Sequence, residues 1–382
     1  NQSKSPQQNC GLYFCLNHAA LVWGMKADGH MSQEANMKTA QSGWHHVRLD
    51  SPFLAGQAAF VLLSVLFIAA NAVFLPNPNL MSFAVLVQLL LFSGLSLLFA
   101  LMAHTAVKFA QTRSVATAVD HTVRNVLSAD NLARAIPTIL LVGVFMFTFP
   151  SFKSHIPDFN PYDWDAALAE FDRILHLGYS PWELLAAMTG YGFFTVKIDQ
   201  IYYLWFPVVF TATAAIALIP GHNDWRHRYL LSFILAWIVI GCILAVGYSS
   251  VGPIFYDRLY GGNSQFTPLI AQLEAVNTAS PLHTLHVRDQ LWQAYSSPTN
   301  QIISGISAMP SMHNAIAVLL FLAARHGDAI IKWMAGAFAV IIFVGSVHLG
   351  WHYASDGYVS AVAILAIWKF TGWHVKRTAH PL

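Results

Sequence analysis

Two short histidine-bearing runs, Pro310-Ser311-Met312-His313 and His348-Leu349-Gly350-Trp351-His352-Tyr353-Ala354-Ser355-Asp356, are separated by one strongly apolar stretch. Ionisable groups at the edge of hydrocarbon are costly unless paired or functional, so three histidines and a carboxylate gathered at the ends of apolar segments point to chemistry. His348, His352 and Asp356 recur every four residues. On a regular helix that spacing puts them on one face, with neighbouring Cβ atoms about 5–6 Å apart. A carboxylate bonded to one imidazole nitrogen fixes the tautomer and leaves the other nitrogen as an oriented lone pair, ready to act as base or nucleophile. Ser311 follows Pro310 and precedes an apolar run, the position of a helix N-cap. The free N–H groups of such a helix end bind phosphate. His313, in the first turn, is placed to protonate a leaving oxygen. These parts describe in-line phosphoryl transfer: one histidine attacks, a second protonates the leaving group, and a helix N-terminus holds the equatorial oxygens. That chemistry requires neither a metal nor another cofactor.

The elements that must position these groups follow from composition. With 56% apolar residues, 10% charged residues and a mean hydropathy of +0.50, the chain is not a soluble globule. A helix needs about 20 apolar residues to cross a bilayer. Apolar stretches near 54–76, 82–107, 133–152, 200–219, 229–251, 311–325, 330–350 and 352–370 predict an all-α polytopic bundle of about eight spans. The stretch 311–325 is the weakest, being short, bearing His313 and flanked by Arg325. If all cross and the N-terminus is cytoplasmic, only Lys153, Arg173, Lys197, Arg258 and Arg288 of the 20 lysines and arginines fall outside. The positive-inside bias therefore predicts both termini in the cytoplasm and both histidine runs on the extracytoplasmic or luminal side.

The chain is expected to divide into a polar N-terminal segment 1–50, two additional spans with a cytoplasmic connector over 51–132, and a catalytic membrane domain over 133–382. Gly29-His30-Met31 has the form of a cloning junction before a native start at Met31, so residues 1–30 are set aside, wholly or in part, as added sequence. Cys10 and Cys15 lie there and Cys242 lies in a span, which implies neither a disulfide framework nor a zinc site. Residues 151–198 are the most acidic, with Asp158, Asp163, Asp165, Glu170, Asp172 and Glu183. Their helical apolar patterns at 163–177 and 181–194 predict interfacial helices between 160 and 196, either a cap on the bundle or a vestibule for a lipid headgroup. Residues 252–310 form a long connection, in which Val287–Tyr295 is expected to be a short helix over the site.

Pro310-Ser311-Met312-His313, followed after one span by His352-x-x-x-Asp356, resembles the second and third signature motifs of the type 2 phosphatidic acid phosphatase (PAP2) superfamily. Ser307-Ala308-Met309-Pro310-Ser311-Met312-His313, His352-Tyr353-Ala354-Ser355-Asp356, Asp199-Gln200-Ile201-Tyr202-Tyr203-Leu204-Trp205-Phe206-Pro207 and Gly252-Pro253-Ile254-Phe255-Tyr256-Asp257 are similar to the branch that contains inositol phosphorylceramide synthases. The similarity covers roughly 135–370 and implies a six-helix core. It implies that His352 forms a phosphohistidine, that Asp356 orients it, that His313 is the general acid and that Ser311 helps hold the phosphoryl oxygens. The common family pattern also has a Lys…Arg-Pro motif and a Ser-Arg pair before the nucleophile; here Gly345-Ser346 stands in place of Ser-Arg and no first motif is found. The positive charge on the phosphate is therefore sought elsewhere, at Arg258 first and Lys197 second. Ser346 offers a hydroxyl in place of the guanidinium, and Tyr256 and His348 complete the expected binding residues.

The implied activity is that of an integral-membrane lipid phosphotransferase or phosphatase, with inositol-phosphate transfer to a lipid alcohol as one form and hydrolysis of a lipid phosphate or diphosphate as the alternative. The expected partners are a lipid phosphate or phospholipid substrate, a lipid alcohol acceptor and the membrane, with no nucleic acid. A reading from another class takes His348, His352, Asp356 and His313 as ligands of a metal-dependent membrane oxidase, since histidines at i and i+4 are a known metal arrangement. Such enzymes carry several more histidine boxes, whereas the other histidines here are scattered.

Overall fold

The computed structural model describes residues 51–75, 83–189, 192–221, 224–297, 305–325 and 327–379. The expectations for residues 1–50 lie outside this set. The described residues form helices and no strand. In chain order the helices are α1 (Ser51–Phe74), α2 (Phe83–Thr112), α3 (Val115–His121), α4 (Ala129–Ser154), α5 (Asp165–Leu175), α6 (Pro181–Thr189), α7 (Phe193–Tyr203), α8 (Trp205–Ala217), α9 (Asp224–Gly247), α10 (Pro253–Tyr260), α11 (Thr267–Ala279), α12 (His283–Ser296), α13 (Met312–Ala324), α14 (Ala329–His348) and α15 (Ala354–Ala379). A π-helical turn joins α3 towards α4, a single turn follows α4, and α9 is π-helical over Ala236–Leu244.

Each of the eight apolar stretches lies on a helix. Five helical segments, Leu86–Thr112, Ala129–Ser154, Phe193–Ala217, Asp224–Gly247 and Ala329–His348, are long and apolar enough to cross a membrane, and Ala58–Phe74 and α13 are shorter apolar helices. The protein is an all-α, multi-pass membrane bundle. Its centre is α9 and α13: Tyr229, Phe233, Ile234 and Ile240 of the former and Ala315, Ile316, Ala317 and Leu319 of the latter are buried. α13 packs against α8, α9, α14 and α15, which is why so short a helix carries so much of the core. α1 and α2 flank the bundle against α4, α8 and α9. They leave Leu62, Leu66, Leu90, Leu91 and Leu95 exposed, as a surface in contact with acyl chains requires.

Two expectations are corrected here. The expected helix over Val287–Tyr295 is present within α12, but the connection 252–310 also contains α10 and α11 rather than that one helix in a loop. Their starts are set by carboxylates. Asp199 of α7 accepts the His283 and Thr284 N–H groups and so caps α12, and Asp257 accepts Ser264 N–H and the Thr267 hydroxyl at the head of α11. Second, His348, His352 and Asp356 do not share one helix face. α14 ends at His348, Gly350 takes a positive φ of 76°, and a new helix starts at Ala354. Asp172 of α5 restarts it by accepting the N–H groups of Ala354 (2.6 Å) and Ser355 (2.9 Å), donors that a helix start leaves unpaired.

Candidate active site

The start of α13, the end of α14 and the start of α15 meet at one end of the bundle. Ser311 caps α13, its hydroxyl oxygen accepting the Asn314 N–H, and its own N–H points to the Asp356 carbonyl at 3.4 Å. His352 lies in the turn before α15, its backbone N–H donating to the Ser346 carbonyl at 3.0 Å. Asp356, in the first turn of α15, reaches back to that turn. Its Oδ2 is 3.1 Å from His352 Nδ1 and accepts the Tyr353 N–H at 3.1 Å, the geometry of a capping carboxylate. With its proton on Nδ1, the His352 ring donates to Asp356 and keeps a lone pair on Nε2. The His313 ring faces His352 with centroids 6.3 Å apart.

His313 is held by aromatic side chains of α7 and α8. Tyr202 stacks on it at 4.9 Å and 13°, Trp205 lies at 4.3 Å, and Trp205 Nε1–H donates to the His313 carbonyl at 3.0 Å. Both belong to the Asp199–Pro207 run. Burial first, and the Lys153 ammonium second, hold the His352 imidazole far below its ordinary value, at about 3. His352 is thus a neutral imidazole. Lys153, in the last turn of α4, acts electrostatically on His313 as well.

A layer of buried carboxylates holds the loops in register. Asp165 accepts the Val251 and Gly252 N–H groups and the hydroxyls of Tyr353 (2.9 Å) and Tyr260 (3.0 Å), tying α5 to α10 and to the residue after His352. The Ala308 and Met309 N–H groups donate to Ser250, and Ile254 N–H donates to the Gly350 carbonyl at 2.8 Å. Burial pushes both Asp165 and Asp172 above the usual carboxylate range, opposed by these donors. A cleft beside His352 is walled by Ala169, Asp172, Trp182, Pro253, Phe266 and Val347.

Of the residues singled out from sequence, His352, Asp356, His313 and Ser311 come together. Ser346 lies next to them but its hydroxyl is engaged between α13 and α14, donating to the Phe343 carbonyl at 2.7 Å and accepting from Asn314 Nδ2 at 3.1 Å. The His348 ring turns to Thr195, 2.9 Å from Nε2, and meets Phe194 edge-on. Arg258 pairs with Asp289 at 2.7 Å beside Trp292, and Lys197 bonds Gln200 on an exposed face. Tyr256 packs on Tyr260 and Phe266. Among the described residues no three His, Cys, Asp or Glu side chains are grouped to hold a metal.

Three features escaped the sequence reading. Asp165 and Asp172 are buried on α5 together with Leu168 and Ala169, so the signal was two acids at i and i+7 within an apolar stripe. Tyr202 and Trp205 lay within a quoted run without a role, and Lys153 stood at the end of a span as one charge among several.

A membrane helix bundle with a His–Asp pair facing a second histidine at a helix N-cap defines a membrane phosphatase-type fold. Residues 166–370 match the sequence profile of the PAP2 superfamily, and the chain belongs to that superfamily. Neither curated proteins nor solved structures yielded a match to the chain. PAP2 members are generally phosphatases and related enzymes.

Proposed function

We propose that this protein transfers the phosphoryl group of a phosphorylated lipid headgroup through a phosphohistidine on His352, at the extracytoplasmic or luminal face of the membrane. The observation that carries the proposal is the His352–Asp356 pair at 3.1 Å facing His313 across 6.3 Å. In the first step the Nε2 lone pair of His352 forms a bond to phosphorus, the phosphorus–oxygen bond to the leaving group breaks, and His313, entering as the imidazolium once the phosphate anion is bound beside it, gives that oxygen its proton and becomes neutral. In the second step water or an alcohol attacks phosphorus, the phosphorus–nitrogen bond breaks, and the attacking oxygen passes its proton to His313. Asp356 holds the ring in the competent tautomer and stabilises the charge that develops on it. Ser311 and the N-terminal N–H groups of α13 are assigned to the equatorial oxygens. The resemblance to inositol phosphorylceramide synthases favours a lipid alcohol as acceptor, with hydrolysis as the competing outcome. The charge bias of the connecting segments supports cytoplasmic termini.

The test is to incubate the purified protein in detergent with labelled phospholipids, lipid phosphates and lipid diphosphates, with and without ceramide or diacylglycerol. Turnover lost in His352→Ala, insensitive to chelators, is the expected result. Wild-type rates in that variant would refute the mechanism, and the acceptor arm separates transfer from hydrolysis.

A further inference from the structure

We infer that Lys153 is the cation that holds the transferred phosphoryl group, supplied by a helix that lies outside the segment matching the PAP2 profile. This rests on the phosphoryl-transfer reading above and names the charge partner that the chain's own motifs leave open.

Lys153 is in the last turn of α4, thirteen positions before the matched segment begins at 166. Its backbone is clamped to the loop that leads into α13. Gly305 has a φ of +86°, and a Cβ there would lie 2.6 Å from Lys153 C and from Ser154 N, so the loop and the end of α4 touch backbone to backbone. The same loop donates Ala308 N–H to Ser250 and ends at Ser311, the cap of α13. The backbone of Lys153 is therefore held beside the loop that leads to Ser311 and His313.

The charge environment is that of a site built for an anion. Lys153 is partly buried, its ammonium lies close enough to bear on the charge of both His313 and His352, and the salt bridges among the described residues do not include it. The buried acids of the site are committed elsewhere: Asp356 to His352 and Tyr353, Asp172 to the start of α15, Asp165 to Val251, Gly252 and two tyrosines. A partly desolvated ammonium with two imidazoles for neighbours is unfavourable until an anion joins it. A phosphoryl group between the histidines places its non-bridging oxygens beside that charge, where a fixed cation stabilises the transition state most. Arg258 and Lys197 have partners of their own at the surface and are not needed for this role.

The experiment compares wild type, Lys153→Met, Lys153→Arg and His352→Ala, purified in detergent. It measures kcat/KM on the lipid phosphate that wild type turns over, inhibition by orthovanadate and by inorganic phosphate, and the thermal midpoint. Lys153→Met should lose about 10²-fold in kcat/KM and weaken vanadate inhibition about tenfold or more. Lys153→Arg should recover most of both. The midpoint of Lys153→Met should equal or exceed that of wild type, because an unpaired charge has been removed, whereas a packing role would lower it in both variants. Wild-type turnover and vanadate inhibition in Lys153→Met, with His352→Ala inactive, would overturn the assignment of Lys153 alone. Equal loss in Met and Arg with lowered midpoints would overturn it as well. Absence of turnover and of vanadate binding in wild type would remove both the assignment and the reading beneath it.

Discussion

The Nδ1 atom of His352 and the Oδ2 atom of Asp356 lie 3.1 Å apart across a helix start, not along a helix. The histidine is in the turn, the carboxylate is in the first turn of α15, and the same oxygen binds the Tyr353 N–H. The pair is therefore only as well aligned as the start of α15, and that start depends on Asp172 of another helix.

Asp356→Asn keeps the size of the side chain but can present an amide N–H to the ring, which favours the wrong tautomer. A fall in kcat of up to about 10⁴-fold is expected, with KM little changed and the fold intact. A variant within tenfold of wild type would show that Asp356 has no part in orienting His352.

Asp172→Ala leaves the N–H groups of Ala354 and Ser355 buried without acceptors. A loss of about 1–3 kcal/mol in stability is expected, with a drop in kcat because His352 and Asp356 ride on the same turn. Asp172→Asn, which retains one acceptor oxygen, should lose less of both. Thermal unfolding of the two variants in one detergent checks the order.

Gly252→Ala meets both strain and a wall. Gly252 has a φ of +83°, and a Cβ would lie 2.7 Å from the Trp351 carbonyl oxygen and 2.9 Å from Ala308 Cβ, where three loops of the site converge. A cost of about 1–3 kcal/mol is expected, together with reduced kcat. An unchanged thermal midpoint would contradict this packing.

Titration of His352 has a definite sign. Its folded value, about 3, lies below the unfolded value of about 6.5, so the unfolded chain takes up the proton first as pH falls. The stabilising contribution is full above pH 6.5 and declines as pH falls from there towards 3. The stability difference between wild type and His352→Gln should therefore shrink between pH 7 and pH 5, and the acid limb of kcat/KM that reports His352 should lie below pH 6.5. A limb centred at 6.5 or higher would count against a buried neutral nucleophile.

Arg258→Ala should leave turnover near wild type, because the guanidinium is spent on Asp289 at a partly exposed surface. The change in stability is expected to be about 0–1 kcal/mol. A hundredfold loss of kcat/KM would return the phosphate charge to Arg258 and away from Lys153.

Sequence alone determined the membrane class, the helical segments and the pairing of chemistry with helix ends. Apolar length, charge scarcity and the Pro310-Ser311 and His352-x-x-x-Asp356 spacings are local properties, and a bilayer or a helix cap responds to them locally. The cap at Ser311 was legible for that reason, whereas the His352–Asp356 pair was expected along one helix face and forms instead across the start of α15. What only the tertiary structure decided is which distant groups complete the site. The break after His348, which sends its ring to Thr195, arises because Asp172 supplies a new cap 182 residues earlier in the chain. Asp165, Tyr202 and Trp205 act on loops and rings far from them in sequence, and no spacing rule connects them. Lys153 was one of five basic residues on the expected outer side until the assembled fold set its backbone against Gly305, in the loop that leads to Ser311 and His313. Burial and through-space charge have no sequence period, so a cation that bears on both histidines could be found only once the helices were assembled.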